Sequence, residues 1–321
     1  MKKTLILLIA IIMMVSVFAG CSKDQPAEEP TAAATEEAAE ATDAPSEETG
    51  DAMYEDGVYF ARDEISATWT YFVVVTVEGG KISDAYWGGT NFVPQGDKRV
   101  LSENAQYGMV AYGGAQSYWY EQAEAAEAWL LENQDPTAFE EFYTDEEGHT
   151  DSLTTDGGAT VSVHVLEFFT LAAEALASDP VPAGEFGDTP VVTAKGEPSD
   201  NGWQELAEFI VVNGTIVAVD FDALYTKELV TEGEDANVQY FAIDGDDATA
   251  QSKDQLKEDY GMKANGGSEL EWYEQAELLE AYVLENQDIY ALTDEGYADG
   301  VTGVSVHANG FVELFNEAFG K

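Results

Sequence analysis

The sequence predicts an α+β fold: two tandem domains, each a twisted, mainly antiparallel sheet with flanking helices. Three observations lead there. At roughly 100–200 residues per domain, a chain of 321 residues is long enough for two. Tyr107 to Asp135 aligns without a gap on Tyr260 to Asp288, with 19 identities in 29 positions, and Asp156 to Leu176 matches Asp299 to Phe319 with 10 in 21. Offsets of 153 and 143 residues far exceed the roughly 20–50 residues of a solenoid unit, so each repeat is a globular unit. Within each repeat, strand patterns come before helical ones instead of alternating with them, which is the order of an α+β domain.

The elements follow in the same order twice. Tyr71 to Val77 is rich in β-branched and aromatic residues; Glu78-Gly79-Gly80 then turns the chain into Lys81 to Trp87. In repeat 2, Phe209 to Val212 leads through the hairpin pair Asn213-Gly214 into Thr215 to Phe221. A helix follows at Tyr120 to Asn133, with Ala123, Ala126 and Leu130 on one face, and at Tyr273 to Asn286, with Ala276, Leu279 and Val283. A second helix closes each repeat, at Val165 to Ala177 and Gly310 to Phe319. Repeat 1 holds ten extra residues between Asp135 and Asp156, read as an acidic surface loop. The domain boundary falls in Ser178 to Pro190, with three prolines and two glycines. The expected division is 52–178 for domain 1, 179–190 for a linker and 191–321 for domain 2.

Residues 1–20 read as a signal peptide. Lys2 and Lys3 precede an apolar run of 14 residues, Leu5 to Phe18, broken only by Ser16, short for a bilayer span but suited to a secretory h-region. Ala19-Gly20 then precedes Cys21, the single cysteine of the chain. This junction resembles the lipobox of bacterial lipoproteins, which implies lipidation of Cys21 and a protein held by its acyl chains on the extracytoplasmic face of the cell membrane. From Ser22 to Asp51 there are ten acids, one lysine and no aromatic residue. Such a segment buries too little to offset its ordering entropy and reads as a disordered acidic tether.

Composition narrows the function. With 13 Lys and Arg against 63 Asp and Glu, the formal net charge is −50, which repels phosphate backbones and excludes a general nucleic-acid binder. One cysteine and three histidines (His149, His164 and His307) give no disulfide framework and no Cys- or His-rich metal centre. The acidic stretches Asp145-Glu146-Glu147 and Asp244-Gly245-Asp246-Asp247 lack the twelve-residue EF-hand pattern and read as solvated surface. A triad drawn from Ser305, His307 and Asp299 has no Gly-x-Ser-x-Gly elbow to support hydrolysis.

The segment with chemical content is Asp299-Gly300-Val301-Thr302-Gly303-Val304-Ser305-Val306-His307, directly before the last helix. Backbone N–H groups and the helix dipole favour an anion at such a place, and Gly303 allows close approach of the backbone. A polar turn into a helix has the same composition. His164 and His307 each follow a serine by two residues, so each shares its serine's side of an extended segment; contact with a phosphate and a hydrogen bond to backbone both fit. Trp119, Tyr120, Trp272 and Tyr273 recur beside Gly113-Gly114 and Gly266-Gly267. They read as core before flavin-stacking residues.

The motif set resembles the FMN-binding domain family, found in subunits of membrane redox complexes and in flavinylated lipoproteins of Gram-positive extracellular electron transfer. Asp56-Gly57-Val58-Tyr59 matches the family's opening strand, Gln134-Asp135 and Gln287-Asp288 its helix end, and the 299–307 segment its closing motif. The resemblance covers roughly 52–321 and implies FMN, joined by an FMN transferase through a phosphodiester to the last hydroxyl of the motif. On repeat 2 it implies Asp299 as the acid, Thr302 as the first hydroxyl, Gly303 as the glycine and Ser305 as the acceptor, with Val304 in place of the usual alanine. On repeat 1, Asp156 matches the acid; the acceptor is Ser162 in the ungapped register and Thr160 if the register slides by two. The implied function is a membrane-anchored carrier passing electrons from a membrane donor to an external acceptor, rather than an enzyme with a substrate pocket of its own. The alternative is a redox-silent binding or scaffolding lipoprotein on the same fold.

Overall fold

The computed structural model describes residues 53–187 and 189–321. The expected signal peptide, Cys21 and the acidic tether lie outside the described residues. In the first repeat, β1 (Gly57–Arg62), β2 (Trp69–Glu78) and β3 (Lys81–Asn91) form an antiparallel sheet in that order. It is followed by α1 (Lys98–Glu103), α2 (Trp119–Asn133), a 3₁₀ segment Pro136–Phe142 and α3 (Leu166–Ala177). The second repeat gives β4 (Val191–Lys195), β5 (Trp203–Val212) and β6 (Thr215–Tyr225), again antiparallel in chain order. A hairpin of β7 (Phe241–Asp244) and β8 (Asp247–Ala250) comes next, and Asp244 to Asp247 make its exposed turn. Then come α4 (Lys253–Leu256), α5 (Met262–Gly266), α6 (Trp272–Asn286) and α7 (Asn309–Phe319). The α+β class and the antiparallel sheets are as the sequence predicts.

The hairpins form where the turn residues permit. Gly79 and Gly80 have φ of 60° and 75°, and Asn213 and Gly214 have φ of 51° and 73°, so both turns carry two left-handed residues in succession, as tight hairpins require. The register shift at Thr76/Val77 recurs at Ile210/Val211. The repeats therefore share their irregularities as well as their regular elements.

Each central strand is buried on both faces. Val73, Val75 and Val77 point into a core with Trp87, Leu130 and Phe168, while Phe209 and Val211 do the same with Phe221, Leu279 and Phe315. The alternate residues Phe72, Ile210, Val212 and Ala218 form a third cluster in which the backs of the two sheets meet. This is why the strands read as near-continuous apolar runs where a half-solvated sheet would alternate. The expected linker is tied down: Val181 N–H donates to the Val58 carbonyl at 2.7 Å, Gly184 N–H to Asn213 at 2.8 Å and Phe186 N–H to Gly214 at 2.9 Å. The ten extra residues of repeat 1 differ from a plain acidic loop. Their stretch contains the 3₁₀ turn, whose Phe139 is fully buried and stacks on Phe169 at 4.0 Å; in repeat 2 the buried ring after the long helix is Tyr290, against Tyr282.

The free edge of each sheet is closed by side chains of the long helix. The Glu127 carboxylate accepts the Trp87 N–H at 2.7 Å, and the Gln134 amide both accepts from Ile82 N–H (2.8 Å) and donates to its carbonyl (3.0 Å). In repeat 2, Glu280 takes the Phe221 N–H at 2.8 Å, and Gln287 brackets Ile216 at 2.8 and 2.9 Å. Gln134 and Gln287 end their helices in the left-handed conformation at φ of 65° and 52°. That geometry costs a non-glycine residue about 1 kcal/mol or more, and here the paired amide bonds hold it.

Where the repeats meet, carboxylates gather around one arginine. Glu208 accepts the Gly96 N–H at 3.0 Å across 112 residues of sequence. Asp222 is fully buried and accepts N–H groups from Ala223 and Asp254. Arg62 faces Asp220, Glu208 and Glu280, and burial pulls its pKa down against their attraction; Lys253 acts on Asp222 and Lys257 on Asp254. Burial raises Glu208 to about 7 and Glu280 to about 8, and with help from neighbouring acids raises Asp254 to about 9. A carboxyl whose folded pKa exceeds its unfolded value near 4.5 stabilises the fold at low pH and loses that contribution as pH rises through the folded value. The melting temperature should therefore fall between about pH 5 and pH 7, where these carboxyls are protonated in the folded state only. Glu280→Gln, which keeps an acceptor for Phe221 but carries no charge, should remove roughly 2 kcal/mol of that loss; an unchanged pH slope in the variant contradicts the assignment.

Candidate functional site

The closing loops of the two repeats are built alike around a buried glutamine. Gln122 on α2 and Gln275 on α6 are both fully buried. The Gln275 Oε1 accepts the N–H of Ser305 at 2.6 Å, the N–H of Val306 at 3.1 Å and the Ser305 hydroxyl at 3.2 Å. Gln122 Oε1 takes Ser162 N–H at 2.6 Å, Val163 N–H at 3.1 Å and the Ser162 hydroxyl at 3.3 Å. Ser162 therefore stands where Ser305 stands; Thr160 lies two residues earlier, in a bridge with Thr154.

These bonds alter one expectation from the sequence. The backbone donors at the serines are engaged by glutamine and are not free to cradle an anion. The serine residues themselves are exposed. Gly303 has φ of 94° and its missing Cβ would lie 3.1 Å from Leu278 Cδ1, so glycine serves the backbone conformation there. Asp156, Thr160, Asp299 and Thr302 are exposed. Beside Ser162 and Thr160 is a cavity of about 550 Å³, lined also by Met109, Gly113, Gly114 and Asp151. Its size is within the range of small-molecule sites.

The histidines part company. His307 stacks on Tyr297, with ring centroids 4.6 Å apart and planes at 21°. His164 instead faces His149 edge-on at 4.2 Å and lies 3.9 Å from Glu147. The expectation of no metal centre rested on the number of histidines, but the fold brings two of the three together with a carboxylate.

Trp119 and Trp272 are core, as expected, whereas Tyr120 and Tyr273 are only half-buried; each tryptophan walls a feature absent from the sequence reading. Lys98 Nζ lies over the rings of Trp69, Tyr71, Tyr107 and Trp119 at 4.7–5.2 Å and donates to the Tyr71 hydroxyl at 2.6 Å. Lys253 Nζ lies over Trp203, Tyr260 and Trp272 at 4.8–5.2 Å. Burial pushes the two ammonium groups down, to about 7 and about 8, while the aromatic faces favour the charged form. The usable sequence signal was a lysine shortly before the repeated Tyr-Gly-Met in both repeats. Among the described residues no helix is long and apolar enough to cross a membrane.

No family model matches the chain, and no curated protein does. Two solved structures are similar to it. A Clostridium thermocellum protein solved by solution NMR shares 38% identity over 40% of this chain and 95% of its own, with a TM-score of 0.28. A Clostridium perfringens protein solved by crystallography shares 21% identity over 39% of this chain and 88% of its own, with a TM-score of 0.29. Neither relative is described by an activity or a ligand, and at such TM-scores the likeness bears on neither fold nor function.

Replacing Gln275 by leucine would strand two N–H groups against an apolar side chain. A buried donor left without its partner costs about 1–3 kcal/mol, so Gln275→Leu should lower urea-unfolding stability by roughly 2–4 kcal/mol. Ser305→Ala, which keeps the N–H bonds and removes only the longer hydroxyl bond to Gln275, should cost less, about 1 kcal/mol. Equal losses in the two variants would contradict the role given to the glutamine.

Proposed function

We propose that the protein is a membrane-anchored, extracytoplasmic electron carrier whose FMN is attached at the serines before the last helix of its repeats. The arrangement is a pair of tandem FMN-binding-like domains. The observation that carries the reading is the twice-built loop: an exposed serine whose N–H is fixed by a fully buried glutamine of the long helix. A hydroxyl presented this way is accessible to a transferase while its backbone stays in one place.

The residues present fit a covalently joined group better than a loosely held phosphate, because the neighbouring amides are already satisfied. Ser305 and Ser162 would carry the phosphodiester, and the cavity lined by Gly113, Gly114 and Thr160 offers room beside Ser162. Bound FMN supplies electron-transfer chemistry that no side chain has. The chain's own residues hold the attachment point and surround it with negative charge; Asp299 and Thr302 flank the acceptor in repeat 2, and Asp156 and Thr160 in repeat 1. Lipidation of Cys21 would keep the carrier at the membrane beside its electron donor, and a covalent tether prevents loss of the cofactor by dilution outside the cell.

The test is coexpression of the chain, freed of residues 1–21, with an FMN transferase. The expected product is yellow, with peptide mass spectrometry placing FMN on Ser305 and on Ser162, and with each adduct absent from the Ser305→Ala or Ser162→Ala variant. A colourless product with unmodified closing peptides, beside a partner that flavinylates a control substrate, and without affinity for free FMN, would overturn the reading in favour of a redox-silent scaffold.

A further inference from the structure

We propose that Glu147, His149 and His164 of repeat 1 form a binding site for one borderline divalent transition-metal ion, of which Zn²⁺ is the representative. One ring nitrogen from each histidine and one Glu147 carboxylate oxygen lie within 4.8 Å of one another. A tetrahedral zinc centre places such donors about 3.3 Å apart at bond lengths near 2.0–2.1 Å, a closure that rotation of the exposed Glu147 and His164 side chains towards the half-buried His149 would supply. Two imidazoles with one carboxylate form a donor set that suits zinc and its first-row neighbours and gives little to the oxygen-seeking Mg²⁺ or Ca²⁺. Three protein ligands leave one position open for water.

A second residue prepares the site. His149 Nδ1 is 2.7 Å from Asp145 Oδ2, while Asp145 Oδ1 accepts the N–H groups of Glu147 at 3.0 Å and His149 at 3.1 Å. The carboxylate is anchored by its own loop and accepts a hydrogen bond from the Nδ1–H of the imidazole. That leaves the Nε2 lone pair as the ligand, the arrangement in which an outer carboxylate fixes the tautomer and ring of a metal-bound histidine. The edge-to-face contact of His149 and His164, at 82° between planes, lets both rings turn a nitrogen towards one point.

Repeat 2 supplies an internal comparison. The Gly148 carbonyl accepts the Val165 N–H, and the Gly296 carbonyl accepts the Ala308 N–H, both at 2.9 Å. Gly148 thus corresponds to Gly296, His149 to Tyr297 and Glu147 to Glu295. Where repeat 1 has a second imidazole, repeat 2 has a phenol ring stacked on His307. The site belongs to repeat 1 alone and does not depend on the flavin proposal, since none of its ligands is a proposed attachment residue.

The test is calorimetric titration of the full chain without residues 1–21 with Zn²⁺, in millimolar Mg²⁺ to occupy the acidic surface, with Co²⁺ absorption as a second readout. One Zn²⁺ per chain is expected, with the visible bands of a tetrahedral Co²⁺ complex. His149→Tyr and His164→Ala should each weaken binding at least about ten-fold, and Asp145→Asn by about ten-fold. His307→Ala should leave it unchanged, and every variant should melt as the parent does in EDTA. Absence of a one-to-one event above the Mg²⁺-competed background in the parent overturns the proposal, whatever the variants do. Equal affinity in a folded His149→Tyr protein overturns it as well.

Discussion

A three-stranded sheet leaves an open edge, and the fold depends on how that edge is satisfied. Among the described residues β3 and β6 have no further strand beside them, yet their N–H groups at Trp87 and Phe221 are paired, by Glu127 and Glu280 of the long helices. A buried donor without a partner would cost about as much as several favourable contacts provide. Glu127 and Gln134, and again Glu280 and Gln287, along and just past the end of each helix, meet this demand. They fall in the most similar stretch of the two repeats because each has one geometric task that no apolar residue could perform.

The same device sets the rest of the molecule. Once the helix is fixed to the sheet edge, its glutamine is placed to hold the closing serine, and the serine loop leads into the last helix. The outward sheet faces, apolar in both repeats, then cover one another through Phe72, Ile210, Val212 and Ala218. That covering keeps Glu208 and Asp222 from water, and Arg62 only partly offsets the first and Lys253 the second. The surface, by contrast, keeps its acids in water, and the charge that makes the chain so acidic is spread where it costs least.

Much of this was legible in the residues. The Asn213-Gly214 turn, both long helices and the position of Ser305 follow from local pattern, since each is decided by neighbours within a few residues. The packing of the sheets was not legible, because an apolar run such as Tyr71 to Val77 is compatible with several partners. The glutamine clamp left a trace: Gln122 and Glu127 interrupt the apolar face marked by Ala123, Ala126 and Leu130 in both repeats, and polar residues repeated on a buried face imply a backbone partner. The register between Ser162 and Thr160 needed three dimensions, as did the meeting of His149 with His164, since both depend on how the inserted turn of repeat 1 folds back.

Hydrogen exchange followed by NMR tests the edge-closing helix most directly. If Glu127, Gln134, Glu280 and Gln287 close the sheets, the amides of Ile82, Trp87, Ile216 and Phe221 should exchange only through global unfolding, with the same opening free energy as amides in the centre of β2 and β5. Exchange of those four at rates close to a free peptide, with the strand centres still protected, would show that the edges are open and that the helices are held by other means.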